Sequence, residues 1–255
     1  MEQPATFHDL EGASVYITGG GSGVGAALTD GFLAQGANVA FIGRSDASAF
    51  VEEMRDKHGR TPLFLQGDMT DTELLRATMV KAAEAHGPIN VLINNAANDQ
   101  RHTLGETTPE FWDWMIEVNL KAYFFACQEA ARQMRDKGGA IVNFSSISYM
   151  MGNAGYPIYA TSNAGITGLT RSLARELGPQ RIRVNALAPG WVLTQKQMDK
   201  WATPEGLAAH LERQCLKEYL TPEDMIAPTL FLASNASRAM TGQCMAVDGG
   251  VVVSG

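Results

Sequence analysis

At 255 residues the chain is long enough to bury a substantial core within one large α/β domain. With 45% hydrophobic and 18% charged residues it has the composition of a folded globular protein, which excludes a disordered chain. Its net charge of −7 argues against a nucleic-acid partner, yet leaves room for a phosphorylated small molecule held by local donors.

In chain order, apolar runs predict strands at 14–18, 38–42, 62–66, 89–94, 139–145, 181–187 and 243–247, each followed by a helix-period segment except the last. This alternation predicts a doubly wound parallel sheet with helices on both faces. A helix is expected over 108–136, where Phe111, Trp114, Met115, Val118, Tyr123 and Ala126 recur at helical spacing. Thr108-Pro109-Glu110 starts that helix and Gly138-Gly139 stops it. Trp112 and Tyr123 fall outside its core stripe. A second helix is expected from about 157 to 177, ending at Gly178-Pro179, and an irregular lid from about 193 to 220. Cys127, Cys215 and Cys244 lack zinc or redox spacing, so no metal is expected. No apolar run suits a signal peptide or a bilayer span, and a cytoplasmic location with no membrane partner is the expectation.

Between the first strand and the helix-like segment Ala26 to Ala34 lies Thr18-Gly19-Gly20-Gly21-Ser22-Gly23-Val24-Gly25. A glycine-rich turn there lets the backbone approach a dinucleotide pyrophosphate, to which the helix N-terminus adds partial positive charge. The spacing T-G-x-x-x-G-x-G resembles the short-chain dehydrogenase/reductase family. The resemblance covers nearly the full length and implies a single Rossmann-type domain over 1–255. Its dinucleotide-binding part would be about 12–145, and its catalytic and lid part about 146–255.

Further motifs follow the same family at the ends of successive strands. Asn94-Asn95-Ala96-Ala97 is similar to its N-N-A-G element, with Ala97 in place of the last glycine. Asp68-Met69 resembles its adenine-contacting acid and the neighbour of that acid, and Pro189-Gly190 its nicotinamide-side turn, with Val192 and Thr194 near the carboxamide. The implied cofactor contacts are therefore Gly19, Ser22, Gly23, Val24, Gly25, Asp68, Met69, Asn95, Ala96, Ala97, Pro189, Gly190, Val192 and Thr194. At the end of the second strand, where NAD-specific folds place an acid, the chain reads Gly43-Arg44. A small residue followed by a guanidinium makes room for a 2′-phosphate and neutralises it, so NADP is expected over NAD. The alternative is that Arg44 stacks on adenine and Asp46 handles the ribose.

Ser146 stands thirteen residues before Tyr159, the family's serine–tyrosine offset, and Asn119 matches the family's helix asparagine. The resemblance implies that Ser146 holds the reacting oxygen, Tyr159 exchanges its proton, and Asn119 positions a water in the proton relay. The family's Y-x-x-x-K motif ends here in Asn163, on the same helix face as Tyr159. An asparagine can donate to the cofactor ribose but brings no charge. Tyr159 left near a pKa of about 10 is roughly one part in a thousand phenolate at pH 7, so reduced activity is expected.

Two short segments, Asn98-Asp99-Gln100-Arg101-His102 and Lys200 to Gly206 with Gln214 to Lys217, resemble bacterial pentose 1-dehydrogenases. They imply an aldose substrate of the L-arabinose or D-xylose type, oxidised at C1. Asn98, Asp99, Arg101, His102, Ser146, Ser148, Tyr159 and Trp191 would bind it; alternatively, Asp99 and Arg101 form a surface ion pair. Two other readings remain open: another secondary alcohol or sugar-acid ketone as substrate, or a silent dinucleotide-binding sensor or scaffold. The resemblance also implies pairing of helices 108–136 and 157–177 between subunits of a homotetramer.

Overall fold

The computed structural model describes residues 5–253; the outermost residues of the expected domain lie outside the described ones. In chain order the elements are β1 (Ser14–Thr18), α1 (Gly23–Ala34), β2 (Asn38–Gly43), α2 (Ser48–His58), β3 (Leu63–Gln66), α3 (Thr72–His86) and β4 (Val91–Asn94). There follow α4 (Pro109–Ile116), α5 (Ala122–Met134), β5 (Gly139–Phe144), α6 (Ser148–Met151), α7 (Pro157–Leu177) and β6 (Ile182–Pro189). The last elements are α8 (Gln195–Lys200), α9 (Pro204–Arg213), α10 (Ile226–Ala233) and β7 (Cys244–Val247). All seven strands pair in parallel in the order β3-β2-β1-β4-β5-β6-β7, the doubly wound sheet expected.

Strand β1 is buried at every position because helices cover both sheet faces. Its alternation sends Val15 and Ile17 to a core shared with Leu28 and Phe32 of α1 and Leu230 and Leu232 of α10. Tyr16 points the other way, into a core with Leu75 and Met79 of α3, Ala126 and Ala130 of α5, and Ile166 of α7. The Tyr16 hydroxyl meets the Thr78 hydroxyl at 2.7 Å, which satisfies both polar groups within that core.

Two expectations need correction. The helix expected over 108–136 is interrupted by a π-turn at Glu117–Lys121 between α4 and α5. A π-turn inserts one extra residue and rotates everything after it. Tyr123, expected outside the core stripe, is therefore fully buried, and Phe124 takes the exposed position. The lid, expected to be irregular, holds α8 and α9, whose N-termini are capped by the Thr194 and Thr203 hydroxyls.

Candidate active site

The glycine turn lies at the carboxyl ends of the strands, beside the β1–β4 pair, from which the crossovers lead to opposite sides. Gly19 and Gly23 have φ of +71° and +52°, a left-handed backbone that favours glycine. A side chain at Gly25 would collide with the Gly19 carbonyl, and one at Gly20 would come within 2.5 Å of the Phe41 Cβ. Only bare backbone fits this turn, and it lines a cavity of about 580 Å³. Ser22 sits at the N-cap of α1 with no capping hydrogen bond from its hydroxyl, so that hydroxyl and the first helical N–H groups face an incoming anion. This cradle fits a dinucleotide pyrophosphate.

Arg44, Asp68 and Met69 line the far end of the same cavity. The Arg44 guanidinium is largely exposed and 3.8 Å from the Asp68 carboxylate. Asp68 also accepts from the backbone and hydroxyl of Thr70. Asp46 accepts from the backbone and hydroxyl of Ser48, which hold its carboxyl below the ordinary range and tie it to the start of α2.

A second cavity, of about 590 Å³, adjoins the first and contains Ser146, Ser148, Arg101, Pro189, Gly190 and Trp191 in its wall. Val24, Asn95, Ala97, Asp99, Tyr159 and Thr194 line both. Each is set by its element. The Thr18 hydroxyl at the end of β1 accepts from the N–H groups of Asn95 and Ala96, fixing the turn after β4. Ser146 follows β5, and its hydroxyl accepts from the Ser148 N–H at 3.1 Å, leaving its own proton for a ligand or for Tyr159. Gly190 donates to the Val247 carbonyl, Val192 is buried beside Leu220, and Thr194 lies against Gly23.

Burial pushes the Tyr159 phenol above its ordinary range, and the Asp99 carboxylate adds to this; the hydroxyl of Ser146 and the amide of Asn163 act in the opposite direction. Burial likewise pushes the Asp99 carboxyl up. Hydrogen bonds from Lys196 at 2.8 Å and Gln197 at 2.6 Å, with the lysine's charge, more than reverse it. The alternative pairing of Asp99 with Arg101 is thus not formed. Arg101 instead lies over the Tyr156 ring at 4.2 Å and near Trp201.

Three expected site residues are placed otherwise. His102 is buried, and its ring bridges backbone groups: Nδ1 donates to the Gln100 carbonyl and Nε2 accepts from the Ile158 N–H. It ties the loop after β4 to the start of α7 and has no nitrogen left for a sugar. Asn119, in the π-turn, is buried; its Oδ1 accepts from the Asn98 N–H at 2.7 Å, and its Nδ2 donates to the carbonyls of Asn98 and Met115. Its side chain holds the loop after β4. Asn163 lines neither cavity, and its Nδ2 donates to the Tyr159 carbonyl at 2.9 Å, with the Ser148 hydroxyl at 3.5 Å.

Residues beyond the expected set also line the cavities. Gln197 bonds Asp99 and accepts from Trp191 Nε1 at 2.9 Å, while Lys196 faces the cofactor cavity. Tyr156, Asn153, His210 and Arg213 line the substrate cavity. Their sequence signal is weak, since charged and polar residues on a short lid helix look solvated until the lid's position is known.

The family described as Enoyl-(Acyl carrier protein) reductase matches residues 19–252. Among curated proteins, the "Probable galactose dehydrogenase GalD" of Rhizobium meliloti is 48% identical, the alignment covering 96% of this chain and 97% of that one. The D-xylose 1-dehydrogenase of Caulobacter vibrioides is 43% identical, covering 96% and 98%. Among solved structures, a short-chain dehydrogenase/reductase from Serratia marcescens superposes with a TM-score of 0.89 at 30% identity, covering 96% of this chain and 100% of that one. A blue fluorescent protein from a metagenomic library, in complex with NADPH, gives 0.88 at 35%, covering 96% and 99%. With its glycine cradle, its serine–tyrosine pair and these relatives, the chain belongs to the short-chain dehydrogenase/reductase family of oxidoreductases.

Proposed function

We propose that the protein oxidises an aldose at C1 to the lactone, with NADP preferred over NAD. The observation that carries this reading is the position of Tyr159, where the cradle cavity and the polar cavity meet. A nicotinamide bound through the cradle supplies the hydride acceptor. Ser146 holds the sugar's O1, and Tyr159 Oη takes the proton from that hydroxyl as the C1 hydride leaves. Arg101 and Asp99 offer the donors and acceptors a polyhydroxylated ligand needs, and the Trp191 ring suits the apolar face of a sugar. The named activities of the two curated relatives, on galactose and D-xylose, support an aldose. The raised proton affinity of Tyr159 and the lack of a charge at Asn163 support slow turnover.

The test is reduction of NAD and NADP by a panel of aldoses, sugar acids and simple secondary alcohols, with Tyr159→Phe alongside. Aldose-dependent reduction that is lost in Tyr159→Phe supports the reading. Faster reduction with secondary alcohols overturns the sugar assignment. Dinucleotide binding with no reduction by any substrate favours the sensor reading.

A further inference from the structure

The cavity wall contains a cation that the family's tyrosine–lysine pattern does not foresee. Lys196 is the second residue of α8, and its Nζ reaches across the mouth to the Asp99 carboxylate at 2.8 Å. Gln197 takes the other carboxylate oxygen at 2.6 Å and is itself held by Trp191. Asp99 is part of the loop that Asn119 grips at Asn98 and that His102 ties to Ile158, one residue before Tyr159. A chain of polar contacts therefore runs from the lid, through Asp99, to the start of the helix that carries Tyr159. Asp99 and Tyr159 also line the same two cavities, so the carboxylate's charge bears on the phenol across a partly desolvated space.

We propose that Lys196 is a positioning residue for proton transfer at Tyr159: by clasping Asp99 it fixes α8 over the junction of the two cavities and shields the phenol from the carboxylate's charge. The proposal rests on the reading of Tyr159 as the proton acceptor. In this chain it gives the charge balance around the phenol to a lid residue, since Asn163 brings no cation. The other titratable groups around Tyr159 are Tyr156, at the N-cap of its helix, and Tyr123 on α5, whose phenol burial holds well above its ordinary range. Arg101 is held over Tyr156, while His210 and Arg213 lie on α9 at the substrate end. His102 faces backbone only. Asp99 is thus the anion, and Lys196 the cation directly bonded to it.

The test uses Lys196→Met, Lys196→Arg and Asp99→Asn in the full chain. The first readout is the phenolate absorbance titration of the ligand-free protein, with the Tyr159→Phe titration subtracted. The second is the pH at which aldose oxidation reaches half its plateau. Lys196→Met leaves Asp99 uncompensated and is expected to move both midpoints up by roughly half a pH unit or more. Asp99→Asn is expected to move them down, and Lys196→Arg to restore the parent values. A clasp that only holds the lid would change KM or kcat and leave the midpoints in place, which overturns the proposal. Turnover that survives Tyr159→Phe overturns the proton-acceptor assignment, and this proposal with it. A dead Tyr159→Phe with unmoved midpoints overturns this proposal alone.

Discussion

We propose that cofactor preference turns on Arg44. It stands exposed beside the end of β2, with its guanidinium 3.8 Å from the Asp68 carboxylate. The competing reading assigned the ribose to Asp46, but that carboxylate already holds the start of α2. Arg44→Ala is expected to weaken NADP by about 1.5–3 kcal/mol, roughly tenfold to a hundredfold in Kd, and to leave NAD nearly unchanged. Calorimetric titration of both dinucleotides checks this; equal losses would mean that Arg44 only packs on the adenine. The glycine turn after β1, and the placing of Ser146 after β5 and Tyr159 on α7 beside the cavities, were legible from sequence alone, because they follow from local spacing. The part played by His102 was not legible, because it depends on where the ring points. An imidazole that bridges Gln100 and Ile158 looks, in sequence, like one free for a ligand.

At the scale of elements, the strands were legible because each is an apolar run between helix-period segments, and the buried β1 is the clearest case. The π-turn was not. Periodicity on either side of Glu117–Lys121 reads as one helix, and a single inserted residue only shifts the phase, which is why Tyr123 is buried and Phe124 exposed. The turn has a local consequence. It brings Asn119 to grip the Asn98 backbone in both directions, which fixes the loop that carries Asp99. Asn119→Ala removes both contacts and leaves backbone groups of that loop unpaired. The variant is expected to lose about 1–3 kcal/mol of stability and to raise KM for the sugar severalfold while dinucleotide affinity holds. Urea denaturation and steady-state kinetics would show it; unchanged KM and midpoint would mean the loop is held by other contacts.

For the whole molecule, no helix among the described residues is long and apolar enough to cross a membrane. Trp112 on α4 and Phe124 on α5 are both more than two-fifths exposed, on the helices expected to pair between subunits. We propose that these faces are covered in a homotetramer, and light scattering at micromolar concentration is expected to give about four times the chain mass. A monomer would remove that assembly from the account. The fold and the assignment of an oxidoreductase do not depend on it: the first rests on the sheet order and the second on the family match and the curated relatives.

The central claim is that this site is complete except for the cation that would lower the proton affinity of Tyr159. We propose that the phenolate of Tyr159 is the active form; the phenol lies above its ordinary range through burial and Asp99, so that form is scarce at neutral pH and grows as pH rises. The most direct measurement is the pH profile of aldose oxidation for the parent chain and for Asn163→Lys, with Tyr159→Phe in each background. Asn163→Lys is expected to raise turnover at least about tenfold near pH 7, with the gap narrowing toward alkaline pH and Tyr159→Phe silencing both. Equal rates for the parent and Asn163→Lys at every pH, or activity that survives Tyr159→Phe, would contradict it.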